Sequence, residues 1–379
     1  MSEKKAGIIT FHHNHNYGTM LQAIALQKAI HKCGYTSELI NYEKKPTDRM
    51  QLLKIRLSRV GVYVLHFKKY YRLFMNKSNA VARGRLFEDF YSNYAVIGKT
   101  RYEYMEDLKN NPPQYKLYIV GSDQTWSPSI SEQKEKEVFF LSFVPDGLVK
   151  GSYAPSIGLL TVKEQDKELF RKYLDDFKYL SCREKTGSRI LSEVLGKEVV
   201  TVLDPTLLLE EDEWLDMADA KIIEEPYILQ YFLGNRIEHR GFVKKLSRQT
   251  GLKIVSLPFD SLDMADTSVE RLYVGPAQFL RLIHDAEYVC TDSFHGSVFS
   301  VIFKTEFFSF CKHSDTSAQS ENSRLYDFLD GIHLNDRIVM DYRSSPSLGI
   351  NFDESTPYLK KLREASWDYL VYMLDQELR

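Results

Sequence analysis

His295 is the residue whose position in the sequence best suits chemistry. It lies in the polar turn TDSFHG (residues 291–296), between an apolar run and a helical pattern, which places it at the start of a predicted helix. The first N–H groups of a helix lack acceptors within the helix and attract anions. Histidine titrates near neutral pH and serves as a general acid or base. The turn therefore predicts acid–base chemistry on an anionic ligand. The structural alternative is a histidine that caps or packs against its own helix.

Other polar turns follow apolar runs in the same way. They lie at residues 16–18 with Gln22, 121–124, 182–184 and 204–206. Asp123 is a candidate proton acceptor or sugar ligand, and the alternative is a turn aspartate that bonds its own backbone. Arg183 carries a forked guanidinium that suits carboxylate and phosphate groups, and the alternative is an ion pair with Glu184 or Asp204. Both alternatives stay open at this point.

The elements that must position these turns alternate between strands and helices. Residues 6–42 are typical of strand, loop, helix and strand, with Gly34 as the helix C-cap, and the pattern restarts near residue 227. We expect an α/β protein with two Rossmann-like domains, residues 1–208 (with a helical insertion at 46–92) and 209–355. We expect residues 356–379 to form a helix that packs back across the cleft onto the first domain.

Composition excludes several classes of protein. Apolar residues make up 43% of the chain and charged residues 27%, with a formal net charge of −2, which is ordinary for a globular protein. The four cysteines form no CxxC pair, and the N-terminus lacks the apolar core of a signal peptide. The sequence contains no stretch of 18 apolar residues, so it predicts no membrane-spanning helix. We therefore expect a cytoplasmic protein with reduced thiols.

Common cofactor and metal motifs are absent from the sequence. It contains no GxGxxG, GxSxG or HExxH, and the Gly-Lys-Thr at residues 98–100 lacks the first glycine of a P-loop. The three histidines within residues 12–15 have no nearby carboxylate or cysteine, which is poor support for a metal site. We expect no metal.

Taken in order, the polar turns resemble the polysaccharide pyruvyl transferase family. The matching blocks are NYGTMLQAIALQKAIHKCGY, YIVGSDQTW, SYAPSIG, VLDPTLLL and TDSFHGSVFS, and the similarity runs from about residue 7 to about residue 330. The resemblance implies a GT-B-like fold, with phosphoenolpyruvate as donor substrate and a hydroxyl pair of a cell-surface glycan as acceptor. It implies no separate cofactor. The first domain would face the acceptor and the second the phosphoenolpyruvate.

The resemblance gives these turns roles. Transfer of the enolpyruvyl group needs a proton at C3, attack of a sugar hydroxyl at C2 and loss of phosphate, and hence an acid–base group and anion-binding groups. We expect His295 and Asp123 to be catalytic. The residues expected to bind phosphoenolpyruvate are Arg183, Ser293, Gly296, Ser297, Arg324 and Lys304. The residues expected to bind the acceptor are Asn16, Tyr17, Gly18, Gln22, Ser122 and Gln124.

One position departs from the family pattern. Many members resemble S-R-L-H where this chain has DSFH at residues 292–295, so the arginine that contacts the donor is replaced by Ser293. Its charge must come from elsewhere. The candidates, in order of preference, are Arg183, then Arg324, then Lys304 or Lys312.

A basic segment interrupts the first domain. Residues 49–85 hold ten basic residues and no acid, interleaved with aromatic and apolar side chains. Such a segment suits an anionic membrane surface, at roughly 1 kcal/mol per basic residue, or the pyrophosphate of a lipid-linked acceptor. The alternative is a helical hairpin with a solvated basic face, and nothing beyond charge supports nucleic acid. We expect peripheral contact with the inner face of the cytoplasmic membrane.

Two other functions fit the same architecture. A GT-B nucleotide-sugar glycosyltransferase of polysaccharide biosynthesis would need a ribose-binding carboxylate late in the second domain, for which Asp315, Glu321 and Asp327 are available. A non-catalytic glycan-binding protein would keep the fold without the chemistry. Release of phosphate from phosphoenolpyruvate, as opposed to release of a nucleoside diphosphate, separates these functions.

Overall fold

The computed structural model describes residues 4–13, 15–43, 67–128, 133–259, 261–312, 322–344 and 346–379. Within these ranges it describes the side chains of all residues except 67–78, 133–135 and 261. Residues 49–66 of the basic segment predicted to contact a membrane therefore lie outside the described residues, and the side chains of its residues 67–78 are not described. In the described part of the chain, no helix is both long enough and apolar enough to cross a membrane.

The first half of the chain builds a parallel sheet. Its strands are β1 (Lys5–Ile9), β2 (Thr36–Leu39), β3 (Leu117–Val120) and β4 (Val149–Ser152), in the order β2-β1-β3-β4, and β5 (Ser181–Cys182) pairs with β6 (Val200–Thr201). The helices are α1 (Tyr17–Lys32), α2 (Phe67–Tyr94), α3 (Met105–Asn110), α4 (Gln133–Phe139), α5 (Glu164–Leu174) and α6 (Lys185–Leu195). The strand order reverses direction between β1 and β3, which creates a crevice at their carboxyl ends.

The second half builds another parallel sheet, reached through a 3₁₀ turn (Pro205–Leu208) and α7 (Glu211–Leu215). Its strands are β7 (Tyr227–Tyr231), β8 (Lys253–Ser256), β9 (Glu270–Arg271), β10 (Tyr288–Thr291) and β11 (Phe307–Ser309), in the order β11-β10-β7-β8-β9. The helices are α8 (Ile237–Thr250), α9 (Ser261–Ala265), α10 (Pro276–His284), α11 (Phe294–Ile302) and α12 (Ser323–Gly331). Here the order reverses between β10 and β7. The predicted pair of Rossmann-like domains is confirmed.

Helix α1 is buried on almost every side, from Tyr17 to Ile30. A helix that is apolar all round is covered from more than one direction, and α1 lies between its own sheet and helices α10 and α11 of the second domain. It ends as predicted, with Gly34 in the left-handed conformation at φ 83°. Its position carries the first turn of α1 to the domain interface.

The last helix, α13 (Phe352–Leu378), begins four residues before the predicted start and returns to the first domain. The Tyr369 hydroxyl donates to Ser152 O at 3.0 Å, and Leu203 N donates to Ser366 Oγ at 2.9 Å. Near its start, the Tyr358 ring stacks on His333 of the second domain. The helix therefore spans both domains, as the sequence predicts.

Candidate active site at the domain interface

A cavity of about 290 Å³ lies where the two sheets present their crevices to each other. The residues lining it from the first domain are Phe11, Asn16, Thr19, Asp123 and Gln124. Those from the second are Leu233, Asp292, Ser293, Phe294, His295, Phe310, Lys312, Asn322, Arg324 and Leu325. They follow β1, β3, β7, β10 and β11, so both carboxyl edges contribute, as expected for ligand sites in open α/β sheets.

His295 lies in the first turn of α11 and lines the cavity. The Ser293 hydroxyl caps this helix by accepting a hydrogen bond from Gly296 N at 3.4 Å. The imidazole crosses the interface and rests on Gly18 of α1, where an added Cβ would lie 2.0 Å from Nδ1. Its Nε2 lies 3.4 Å from Asp204 Oδ2. Gly18 is therefore needed for the ring to reach its place.

Asp204 lies beneath the histidine, and the sequence suggested it only as a possible ion-pair partner of Arg183. It is almost completely buried. Its Oδ2 accepts from Ser122 Oγ at 2.8 Å and Arg183 Nη1 at 2.9 Å, and its Oδ1 accepts from Thr206 N and Oγ1 at 3.0 and 2.7 Å. Burial alone would raise the pKa of Asp204, but His295 and Arg183 outweigh it and hold that pKa well below its usual range. The carboxylate is thus charged, and it faces the imidazole.

Arg183, predicted to bind phosphoenolpyruvate, lies behind the cavity wall. Its side chain is 2% exposed and pairs with Asp204, which is the ion-pair alternative raised by its sequence context. The guanidinium Cζ is 4.4 Å from the centroid of the Phe294 ring. Within the described structure, Nε and Nη2 have no hydrogen-bond partner.

Asp123, the second predicted catalytic residue, lines the cavity in a strained conformation at φ 77°. Its Oδ1 accepts from Gln124 N at 2.8 Å, the local bond expected of a turn aspartate, and its Oδ2 accepts from Thr19 Oγ1 at 2.8 Å. Non-glycine residues in this region of φ cost about 1–3 kcal/mol and cluster at active sites. The strain fixes the carboxylate at the cavity edge.

The predicted acceptor residues fall into two groups. Asn16 and Gln124 line the cavity. Gln22 lies in the core, where its amide donates to three oxygens of the loop after β1 and of α1. Tyr17 lies between the domains, its ring stacked on Phe279 with centroids 4.2 Å apart. Gly18 and Ser122 support the histidine and Asp204, as described above.

The predicted donor residues are also divided. Ser293 and Arg324 line the cavity. Gly296 and Ser297 lie inside α11 against the sheet, the latter with its Oγ 2.7 Å from Ser309 Oγ. Lys304 is exposed just beyond the far end of α11, about 13 Å along the helix from His295 at 1.5 Å per residue. The structure therefore places Lys304 outside the cavity, and Lys312 inside it.

A second aspartate–histidine pair lies beside the cavity, which Asp292 lines. Asp292 accepts from Leu233 N and Gly234 N at 2.6 and 2.9 Å, and its Oδ2 is 3.8 Å from His239 Nδ1. Burial raises the pKa of Asp292 to about 6. Burial, and then Arg236, lowers the pKa of His239 to about 3. Asp292 thus fastens the loop after β7 to the start of α11.

Among the N-terminal histidines, His12 makes two hydrogen bonds within the first domain. His12 is buried, with Nδ1 bonded to the Tyr91 hydroxyl and Nε2 3.1 Å from Ile40 O. No group of three or more metal-ligating side chains occurs among the described residues.

The two facing Rossmann-like domains, the cavity between their carboxyl edges and the returning last helix define a GT-B-like protein. A family model, polysaccharide pyruvyl transferase, matches residues 16–310. The chain therefore belongs to the polysaccharide pyruvyl transferase family, and it is a transferase. No curated protein matched in a sequence search.

Solved structures with overall similarity include several enzymes that use nucleotide sugars. UDP-GlcNAc 2-epimerase from Methanocaldococcus jannaschii is 12% identical with a TM-score of 0.44, covering 95% of this chain and 99% of that one. The E. coli heptosyltransferase is 10% identical with a TM-score of 0.38, covering 86% and 99%. A UDP-glucosyltransferase from Polygonum tinctorium is 10% identical with a TM-score of 0.44, covering 98% of each chain.

Proposed function

We propose that the protein transfers the enolpyruvyl group of phosphoenolpyruvate to two hydroxyls of one sugar, as a ketal, in the assembly of a cell-surface polysaccharide. The observation that carries the proposal is His295 at a helix start, held against the buried Asp204 at 3.4 Å, beside a cavity that also contains Lys312 and Arg324. An oriented acid–base group next to cations suits a small anionic substrate that must be protonated. No metal or further cofactor is needed for this reaction.

Each step can be given to a side chain in or beside the cavity. His295 gives its proton to C3 of the donor and makes the methyl group, and Asp204, 3.4 Å from Nε2, stabilises the charged imidazole. Positive charge develops at C2, the first sugar hydroxyl bonds to C2, and Asp123 takes its proton. The C2–O bond to phosphate then breaks with its electron pair on phosphate. The second hydroxyl bonds to C2, and its proton goes to His295.

The cations of the cavity suit the phosphate. Lys312 and Arg324 belong to the second domain and line the same wall as Ser293, so they supply the charge that Ser293, in place of an arginine, does not. The first-domain wall offers the uncharged Asn16, Thr19 and Gln124, with Asp123, which suits sugar hydroxyls. We therefore assign the donor to the second domain and the acceptor to the first.

The test is pyruvate addition to a glycan. Purified protein, phosphoenolpyruvate and a series of lipid-linked mono- to tetrasaccharides should release phosphate and give a product heavier by pyruvate less water. His295→Ala should abolish both signals. Release of a nucleoside diphosphate from a nucleotide sugar, with no phosphate from phosphoenolpyruvate, would replace this proposal with the glycosyltransferase.

One contact weakens the glycosyltransferase alternative. Of its three candidate ribose ligands, Asp327 is the one within the described residues. Its carboxylate accepts from Thr186 N at 2.7 Å and from Thr186 Oγ1 at 3.2 Å. The carboxylate is thus engaged in a contact between the domains.

The acceptor is proposed to be still attached to a lipid at the inner membrane surface, because residues 49–85 carry ten basic residues and no acid. The protein should bind vesicles containing anionic phospholipid, and more weakly as salt rises. A variant with Arg56, Arg59, Lys68, Lys69 and Arg72 changed to Gln should bind less. Arg83 is kept, because it donates to His15 O at 3.0 Å and lies over the Tyr17 ring. Equal partitioning of the two proteins would refute the membrane contact.

A further inference from the structure

Arg183 has a guanidinium of which only one side is used. Nη1 donates to Asp204 and lies 3.4 Å from Ser122 Oγ. Nε and Nη2 are buried without a hydrogen-bond partner in the described part of the chain. Buried polar groups without partners are rare and call for an explanation. Nε and Nη2 form the edge of the guanidinium that holds a carboxylate through two parallel hydrogen bonds.

Phe294 lies between the guanidinium of Arg183 and the cavity. Its ring lines the cavity, whereas Arg183 does not, and the ring centroid is 4.4 Å from the guanidinium Cζ, a cation–π contact. The ring also packs edge-on against Phe328 of α12, with centroids 5.8 Å apart. Phe294 directly precedes His295 as the first residue of α11. A ligand that reaches His295 therefore meets the phenyl ring before the arginine.

We propose that the Nε/Nη2 edge of Arg183 is a carboxylate subsite and that Phe294 is its gate. The proposal rests on the proposed function, because the carboxylate is that of the enolpyruvyl donor. A planar carboxylate displaces the ring and replaces one cation–π contact with two charge-assisted hydrogen bonds. An anion without a carboxylate, such as phosphate held at Lys312 and Arg324, leaves the ring in place. The gate thus makes the site selective for donors that carry a carboxylate.

The test is direct binding of pyruvate and of inorganic phosphate to the full-length protein, measured by calorimetry. Phe294→Ala should tighten pyruvate binding about tenfold, the order of a desolvated cation–π contact, and should leave phosphate binding unchanged. Arg183→Lys keeps a charge beside Asp204 but removes the fork. In that background Phe294→Ala should give no gain for pyruvate.

Phe310→Ala is the matched control, because Phe310 lines the same cavity and packs against Phe242 and Tyr342 in place of a guanidinium. It should not tighten pyruvate binding. If Phe294→Ala fails to fold, Phe294→Leu replaces it, with a smaller gain expected. Equal pyruvate affinity with and without the ring, an equal gain for phosphate, or a gain that persists with Lys at position 183 would each overturn the gate.

These binding data are independent of turnover. Carboxylate-selective gating without transfer to any glycan would reject the proposed function and leave the gate standing. Transfer from phosphoenolpyruvate with identical pyruvate binding by all variants would reject the gate and leave the proposed function standing.

Discussion

Two aspartate–histidine pairs lie beside the same cavity, and their electrostatics are opposite. In the pair of Asp204 and His295, the carboxylate pKa is held well below its usual range. In the pair of Asp292 and His239, burial raises the carboxylate pKa to about 6 and lowers the histidine pKa to about 3. The distances, 3.4 and 3.8 Å, differ little.

The difference comes from the surroundings of each carboxylate. Asp204 faces the His295 imidazole and receives bonds from a guanidinium and two hydroxyls, whereas Asp292 receives bonds from two backbone amides. The nearby Arg240 is bonded to Asp263. A buried carboxylate keeps its charge when a cation is aimed at it and loses much of that preference when only neutral donors surround it. We therefore infer that the first pair serves chemistry and the second serves structure.

Replacing each histidine with alanine should give the largest difference between the two pairs. His295→Ala should lower kcat by about 10³-fold or more, because the acid–base group is lost. His239→Ala should retain most activity but lose about 2–4 kcal/mol of stability, because its ring packs with Phe232, Phe310 and Tyr342. Transfer assays and chemical denaturation measure the two effects. Similar losses of activity in both variants would contradict the division of roles.

Asp204→Asn should cost about 3–5 kcal/mol in the free energy of unfolding, because the charge of the buried Arg183 is left uncompensated. Asp292→Asn removes a carboxylate that accepts hydrogen bonds from two backbone amides, so a smaller loss is expected. Urea denaturation of the two variants and wild type measures the difference. Equal losses would mean that Arg183 does not set the charge of Asp204.

Gly18→Ala should lower activity by about 10²-fold, because a Cβ 2.0 Å from His295 Nδ1 forces the imidazole out of place. Gly241 in α8 has nothing within 4 Å of an added Cβ, so Gly241→Ala is the matched control and should stabilise the helix by about 0.5–1 kcal/mol. Steady-state kinetics and thermal melting compare the two. Full activity of Gly18→Ala would contradict the position assigned to the imidazole.

The pH dependence of stability should show the smallest effect. The folded pKa of Asp292, about 6, is above the unfolded value of about 4, so its favourable contribution is present at low pH and is lost as pH rises through about 6. Wild type should gain about 1 kcal/mol over Asp292→Asn between pH 7 and pH 5. Asp204 has a depressed pKa, so its contribution stays constant in this window and falls away only below about pH 4. A stability difference between wild type and Asp292→Asn that does not change with pH would contradict the raised pKa of Asp292.

The fold could be predicted from the sequence because its strands and helices each have a local sequence pattern. The apolar runs of β1, β7 and β10 and the glycine after α1 are visible in sequence, and His295 is recognisable from the helix that starts beside it. Asp204 was considered only as a possible partner of Arg183, 21 residues away, because its other partners Ser122 and His295 lie 82 and 91 residues away. A lone acid between the apolar stretches VL and TLLL was the available signal.

Side-chain direction at the predicted turns could not be obtained in the same way. Tyr17 follows the first turn but inserts into the second domain, where its hydroxyl donates to Val274 O at 2.9 Å. That contact depends on how the domains dock, which no local pattern encodes. The position of Lys304, by contrast, follows from helix geometry, since nine residues of α11 carry it away from His295.

The return of α13 to the first domain has a consequence for synthesis. An added Cβ on Gly151 would lie 2.7 Å from Met373 Sδ, and the fully buried Leu370 and Leu374 belong to the same apolar cluster as Tyr153. The first domain is translated early, yet part of its core is supplied by residues more than 200 positions later. Until α13 leaves the ribosome, the surface of the first domain that it covers stays exposed to solvent and to other nascent chains. Folding from the N-terminus during translation cannot bury this surface. We therefore expect nascent chains of this protein to bind chaperones during translation and to be released only near termination.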